Sequence, residues 1–162
     1  MKYLIAIDGS DHAHNAFMKA VALYKPGDEI YTLIAIDLVH FMMAAPKLAE
    51  ETTTLADMKE KMLANGNKLS GQYAELADEH NIAKYKTLLL EGNPRELIVK
   101  EVAERKIDIL IIGQVGLINN PNISMGSTST YCIRNCQCDV LLFWSDQTGY
   151  ETKNATKFSE IE

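Results

Sequence analysis

Five short segments rich in Ile, Val and Leu recur along this chain with longer helical patterns between them, and this rhythm constrains the fold more than any other feature. They are Tyr3 to Ile7, Ile30 to Ile36, Tyr85 to Leu90, Ile107 to Ile112 and Val140 to Trp144. Several are nearly continuous in apolar residues instead of alternating, the pattern of strands buried on both faces of a parallel sheet. Between the first two, Ala13, Phe17, Ala20, Val21 and Tyr24 line one face of a helix that Pro26 and Gly27 end. Leu55, Met58, Met62, Leu69, Tyr73 and Leu76 mark a longer second helix. Asn93, Pro94 and Glu96 read as an N-cap, a first-position proline and an acid able to reach back to the cap, so a third helix runs to about Arg105. A fourth is placed from about Gly126 to Asn135 by its position in the pattern. Right-handed crossovers then predict an α/β fold, a single doubly wound open sheet of five parallel strands. Its order is flavodoxin-like or Rossmann-like, 3-2-1-4-5, with helices on both faces. In such sheets a ligand crevice lies beyond the carboxyl ends of the strands where the order reverses, here between strands one and four. The loops to examine are Asp8 to Asp11 and Gly113 to Gly126.

The 162 residues suffice for one domain with a proper core. With 16 basic and 22 acidic side chains the net charge is −6, without a block of Lys or Arg, so neither nucleic acid nor a membrane surface is an expected partner. No apolar run approaches the roughly 20 residues of a membrane span, and charges at Lys2 and Asp8 argue against a secretory signal. Cys132, Cys136 and Cys138, an odd number crowded together, make a poor disulfide framework and fit a reducing, cytoplasmic setting. Residues 1–144 carry the periodic elements and form the expected domain; residues 145–162 read as a polar tail. The segment Asp37 to Thr52, with Phe41, Met42, Met43 and Pro46, is long for a connection. It reads either as a lid or partner surface, or as a loop that tucks its methionines under itself.

Strand four runs into Gly113, Gln114, Val115 and Gly116, and nine residues later Gly126 and Ser127 open the fourth helix. Glycine there lets a ligand approach the main chain. A helix start presents unpaired N–H groups and the positive end of the dipole, which suits phosphate, with Ser127 and Thr128 adding hydroxyls. Such turns also use glycine and serine caps for structural reasons alone. Asp8 is open in the same way, since Asp8, Ser10 or Asp11 can cap the first helix.

The opening Ile5, Ala6, Ile7, Asp8, Gly9, Ser10, the turn Gly92 to Ile98, and the run Asp108 to Gly113 resemble the universal stress protein family over nearly all of Met1 to Trp144. The spacing G-x2-G-x9-G-S at Gly113, Gly116, Gly126 and Ser127 is similar to that of the family's ATP-binding branch. The resemblance implies an adenine-nucleotide (ATP or AMP) binding stress-response or signalling module. Gly113 and Gly116 would fold over ribose and phosphates, Gly126 and Ser127 would bind phosphate, and Ala35 would contact adenine. Asp8 would lie near the ribose or a nucleotide-bound Mg or Mn ion. It also implies a homodimer through the strand Asp139 to Trp144, whose apolar edge needs a cover. The chain departs from the family in carrying Gln114 and Val115 where relatives have polar and basic residues, and in having no Lys or Arg from Leu117 to Met125. Weaker ATP binding, or little preference over AMP and ADP, is expected.

His12 and His14 fall on different sides of the first helix and read as solvent-facing. The cysteines lack the partners of a zinc site and read as small hydrophobes, with a redox role as the lesser reading. No nucleophile, base and orienting acid assemble by spacing, and Walker and G-x-S-x-G sequences are absent. Two further readings stay open, an interaction module of the same fold without nucleotide and a slow ATP hydrolase.

Overall fold

The apolar segments pair as the pattern requires. The computed structural model describes residues 1–39, 42, 54–116 and 125–143. Its elements, in chain order, are β1 (Lys2–Ile7), α1 (Asp11–Leu23), β2 (Glu29–Ile36), α2 (Leu55–Glu79) and β3 (Tyr85–Glu91). After them come α3 (Pro94–Arg105), β4 (Ile109–Gly113), α4 (Ser127–Asn135) and β5 (Asp139–Phe143). All four strand pairings are parallel and the order is β3-β2-β1-β4-β5. The register sets Ile5 beside Thr32 on one side and Ile111 on the other.

The period of two divides β1 between two cores. Tyr3, Ile5 and Ile7 join Ala13, Phe17 and Ala20 of α1 and Tyr73 and Ala77 of α2 on one face. Leu4 joins Ile98 and Val102 of α3 and Cys132 of α4 on the other. Burying a side chain such as Phe17 or Leu4, both fully inaccessible, is worth about 1.5–3 kcal/mol. Along α2, Gly66 brings the helix against the ends of β2 and β3, where a Cβ would stand 2.7 Å from Leu89 Cδ1 and 3.0 Å from Ile36 Cδ1.

Leu55 opens α2 as the pattern predicts, and its side chain is 61% exposed. One sequence expectation is corrected. Ile107 belongs to the end of α3 rather than to β4. Lys106 is left-handed (φ 53°), its N–H donates to Ala103 O, and Ile107 N donates to Val102 O at 3.0 Å. This is the Schellman closure usually made with glycine. A parallel one ends α2 at Asn81 (φ 56°), with Ile82 N donating to Ala77 O at 2.9 Å. Most of the segment from Asp37 to Thr52, the residues 117–124 of the glycine loop, Trp144 and the 145–162 tail lie outside the described residues.

Candidate functional site

Because β1 pairs with β2 on one side and β4 on the other, the ends of β1 and β4 lie side by side. Their chains leave in opposite directions, α1 onto one face of the sheet and α4 onto the other. A crevice between them is the geometric consequence.

On the β1 side, Gly9 takes a φ of +85°, which turns the chain from strand into helix. Ser10 is the N-cap of α1, its Oγ accepting from Ala13 N at 3.2 Å. Asp8 braces that cap, its Oδ1 accepting from Ser10 N at 2.9 Å and from Ser10 Oγ at 2.6 Å. Of the three capping candidates, then, serine takes the position. The second carboxylate oxygen of the exposed Asp8 faces the other loop, where a Cβ on Gly116 would stand 2.6 Å from Oδ2. Asp8 thus joins the two loops across the switch point.

On the β4 side, a Cβ on Gly113 would lie 2.9 Å from His12 Cβ and 3.2 Å from its carbonyl carbon, so only glycine fits between the strand end and α1. Gly113 O accepts from the buried Ser129 hydroxyl at 2.7 Å. Gln114 N donates to Phe143 O at 2.9 Å, while its carbonyl accepts from Gly126 N at 2.7 Å. Thr130 Oγ1 donates to Gly126 O at 3.0 Å. The glycine loop is therefore clamped at its base by α4 and β5. Gly126 is the N-cap of α4 and supplies no side-chain cap bond, so the first turn, with exposed Ser127 and half-buried Thr128, keeps its polar end toward the crevice mouth. Ala35 sits half-buried one residue beyond Ile34, the partner of Ile7, at the level of Asp8. The structure brings Asp8, Gly113, Gly116, Gly126, Ser127 and Thr128 to one end of the sheet, with Ala35 on the adjacent strand.

Sequence reasoning missed Ser129 and Thr130, whose hydroxyls turn inward to the loop backbone; a Ser-Thr-Ser-Thr run following a glycine loop was the available signal. It also misplaced the histidines. His12 and His14 are half-buried, with Nδ1 of each shielded from solvent. His12 lies where α1 meets the end of β4 at Gly113, and His14 where α1 faces Tyr73 of α2. Burial lowers the pKa of His14, partly offset by Asp11. Its ring lies 6.2 Å from that of Tyr73, whose hydroxyl is pushed well above the usual phenol range by burial first and by Asp8 second. Among the described residues no group of three or more His, Cys, Asp or Glu side chains could hold a metal ion. A divalent cation here would take Asp8 as one ligand and the rest from a bound phosphate and water.

The opposite end of the sheet is built differently. A hollow of about 310 Å³ lies there between Glu29, Tyr31, Lys84 and Lys86, at the starts of β2 and β3, far from the switch point. Glu101, with its side chain 6% exposed, receives Arg105 Nε at 2.6 Å. The Arg105 guanidinium lies over the Tyr31 ring, 5.3 Å from its centroid, and Tyr31 donates to Glu29 at 2.8 Å.

Five parallel strands in the order β3-β2-β1-β4-β5, with helices on both faces, define a class of doubly wound open α/β domains. Within that class the chain belongs to the universal stress protein family, whose family model matches residues 1–143. A Staphylococcus haemolyticus protein named as a universal stress protein is 30% identical over 145 residues, covering 89% of this chain and 84% of that one. Universal stress protein UspA from Lactobacillus plantarum superposes with a TM-score of 0.72 at 22% identity, over 88% of this chain and 97% of that one. A universal stress protein in complex with cAMP has a TM-score of 0.63 at 22% identity, over 88% and 95% of the two chains. An Arabidopsis thaliana family member with AMP bound also has a TM-score of 0.63, at 15% identity, over 91% and 93%. No described helix is long and apolar enough to cross a membrane.

Proposed function

We propose that this chain binds an adenine nucleotide, ATP or AMP, at the crevice between β1 and β4, as a member of the family's ATP-binding branch. The observation that carries the reading is the approach of Asp8 Oδ2 to Gly116, where any side chain would push the carboxylate aside, so that the two loops meet at that point. Ala35 lies against the base. Asp8 takes the ribose or a nucleotide-bound Mg or Mn ion, and Gly113 and Gly116 admit the ligand to the main chain. Gly126, Ser127 and Thr128 present N–H and hydroxyl donors to phosphate. The cAMP and AMP of the two structural neighbours support the ligand class. Binding orders the glycine loop and alters the surface offered to a partner, a readout by population shift with no chemical step required of the protein. The unit that does this is residues 1–144 with 145–162 as a tail, working in the cytoplasm as a homodimer through β5.

With no Lys or Arg from Gly113 to Ser127, phosphate charge is met only by dipoles and a cation. Isothermal titration with AMP, and with ATP with and without Mg, tests this. The expected order is AMP and Mg-ATP within about tenfold, or 1.4 kcal/mol, with metal-free ATP weakest. Tight metal-free ATP binding with far weaker AMP overturns the charge reasoning. Absence of any adenine nucleotide from the purified protein, together with no thermal shift on adding Mg-ATP, favours the second reading, an interaction module without nucleotide, which the uncharged loop also suits. Sedimentation as a monomer at micromolar concentration rules out the dimer.

A further inference from the structure

The nucleotide reading makes no use of the 310 Å³ hollow at the starts of β2 and β3. Its origin lies in the topology. The crossover from β3 to β4 carries α3 inward over β2, so the first residues of the edge strand stay open on that face, and Lys84 and Lys86 are exposed. Strand register then decides what surrounds the opening. Tyr31 pairs with Lys86, and Ile30 N donates to Lys84 O at 2.9 Å, so Glu29 and Tyr31 share a face with both lysines. Two residues apart on one face, the lysines start about 7 Å from each other and repel.

The acids of this end are already engaged. Glu29 accepts the Tyr31 hydroxyl at 2.8 Å and faces Lys84 Nζ at 3.7 Å, too far for a hydrogen bond, while Glu101 receives Arg105 Nε at 2.6 Å. Asp28 holds the Met1 amino group, and Asp108 accepts Lys2 N at 2.7 Å. Among the described residues Lys86 forms no ion pair. The wall beside it is fixed from two sides, since Arg105 lies over the Tyr31 ring, 5.3 Å from its centroid, and the ring's hydroxyl is tied to Glu29.

We propose that this hollow is a second anion site, which takes a phosphate group, free or on a small metabolite, between Lys84 and Lys86 beside Tyr31. A phosphate monoester carries about two negative charges at neutral pH and three acceptor oxygens, so it answers both ammonium groups where a carboxylate answers one. The volume falls at the small end of ligand pockets, roughly 300–1,000 Å³, with room for a short organic body against Tyr31. Lysines on an edge strand also discourage strand addition, but that role requires neither the hollow nor a pinned ring. The site is independent of the crevice between β1 and β4, which lies at the opposite end of the strands.

The test follows amide shifts of the full ¹⁵N-labelled chain by NMR while inorganic phosphate or ribose 5-phosphate is added, against sodium chloride at matched ionic strength. The expected result is saturable shifts at Tyr31 and at Ala83 to Lys86 that chloride does not produce. Tighter ribose 5-phosphate assigns the site to a metabolite, and equal or weaker binding assigns it to free phosphate. Lys86→Gln, at an exposed and unpaired side chain, should weaken both ligands at least about fivefold with the melting temperature unchanged. Lys86→Arg should keep the affinity, and Lys84→Gln together with Lys86→Gln should abolish the shifts. Shifts at Ser127 and Thr128 report the crevice and should persist in Lys86→Gln, so the two sites fail separately. Shifts that grow without saturating, shifts that chloride reproduces, or unchanged affinity in Lys86→Gln overturn the proposal.

Discussion

The two ends of the sheet are made of different materials. At the amino ends of the strands, side chains hold side chains. Asp28 takes the Met1 amino group, Asp108 accepts Lys2 N at 2.7 Å, and the Glu101, Arg105, Tyr31, Glu29 series continues to Lys84. At the carboxyl ends the backbone does the holding, through Gln114 with Gly126 and Phe143, and Ser129 with Gly113. The exposed Asp8 stands between the two loops of the switch point, where space is set by glycines. One end is organised for stability and the other for access to the main chain, the division expected where ligands bind at strand carboxyl ends.

The comparison breaks most visibly at Arg105. Arg105→Ala strands the buried Glu101 carboxylate and should cost about 3 kcal/mol in urea unfolding, with nucleotide affinity unchanged. A loss below about 1 kcal/mol, within the range of exposed pairs, would mean that the amino end is not specially braced. The opposite dissociation is expected at Gly116. A Cβ there displaces only the exposed end of Asp8, so Gly116→Val should spare stability while weakening AMP at least about tenfold, or 1.4 kcal/mol, by titration. Unchanged affinity removes the Asp8 and Gly116 closure from the site.

A smaller effect separates two glycines of α2. At Gly71 an added Cβ meets nothing within 4 Å, so Gly71→Ala should stabilise by about 0.5–1 kcal/mol. Gly66→Ala, crowded by Leu89 and Ile36, should not; equal gains in thermal melting would show that α2 does not press on the strand ends. The smallest effect is the titration of His14. Its pKa is lowered by burial, so above about pH 6.5 both folded and unfolded forms are neutral and it contributes no slope. As pH falls below that value the unfolded chain takes up the proton first, and stability declines until the folded pKa is passed. His14→Phe should flatten this part of the stability profile; an unchanged profile assigns it to other groups.

Much of this was legible beforehand. Apolar runs such as Ile109–Gly113 can only be strands sheathed on both faces, and their alternation with helices leaves few topologies. Asn93 caps α3 as its spacing predicts, and Ser10, one of the three capping candidates, caps α1. The misses share a cause. Lys106 and Asn81 close their helices in the left-handed region without glycine, because burying Ile107 and Ile82 in the core repays the strain. His12 and His14 look solvated by spacing alone, yet the end of β4 at Gly113 lies against one and Tyr73 of α2 beside the other.

The sequence by itself determined the strands, the helices, their order and the residues a nucleotide reading would need, since periodicity and glycine placement are local properties of the chain. Only the tertiary structure decided that Asp8 closes on Gly116 and that Ser129 holds Gly113. Those are distances between segments far apart in sequence or across a bend, set by packing density and strand register rather than by any residue's own preference.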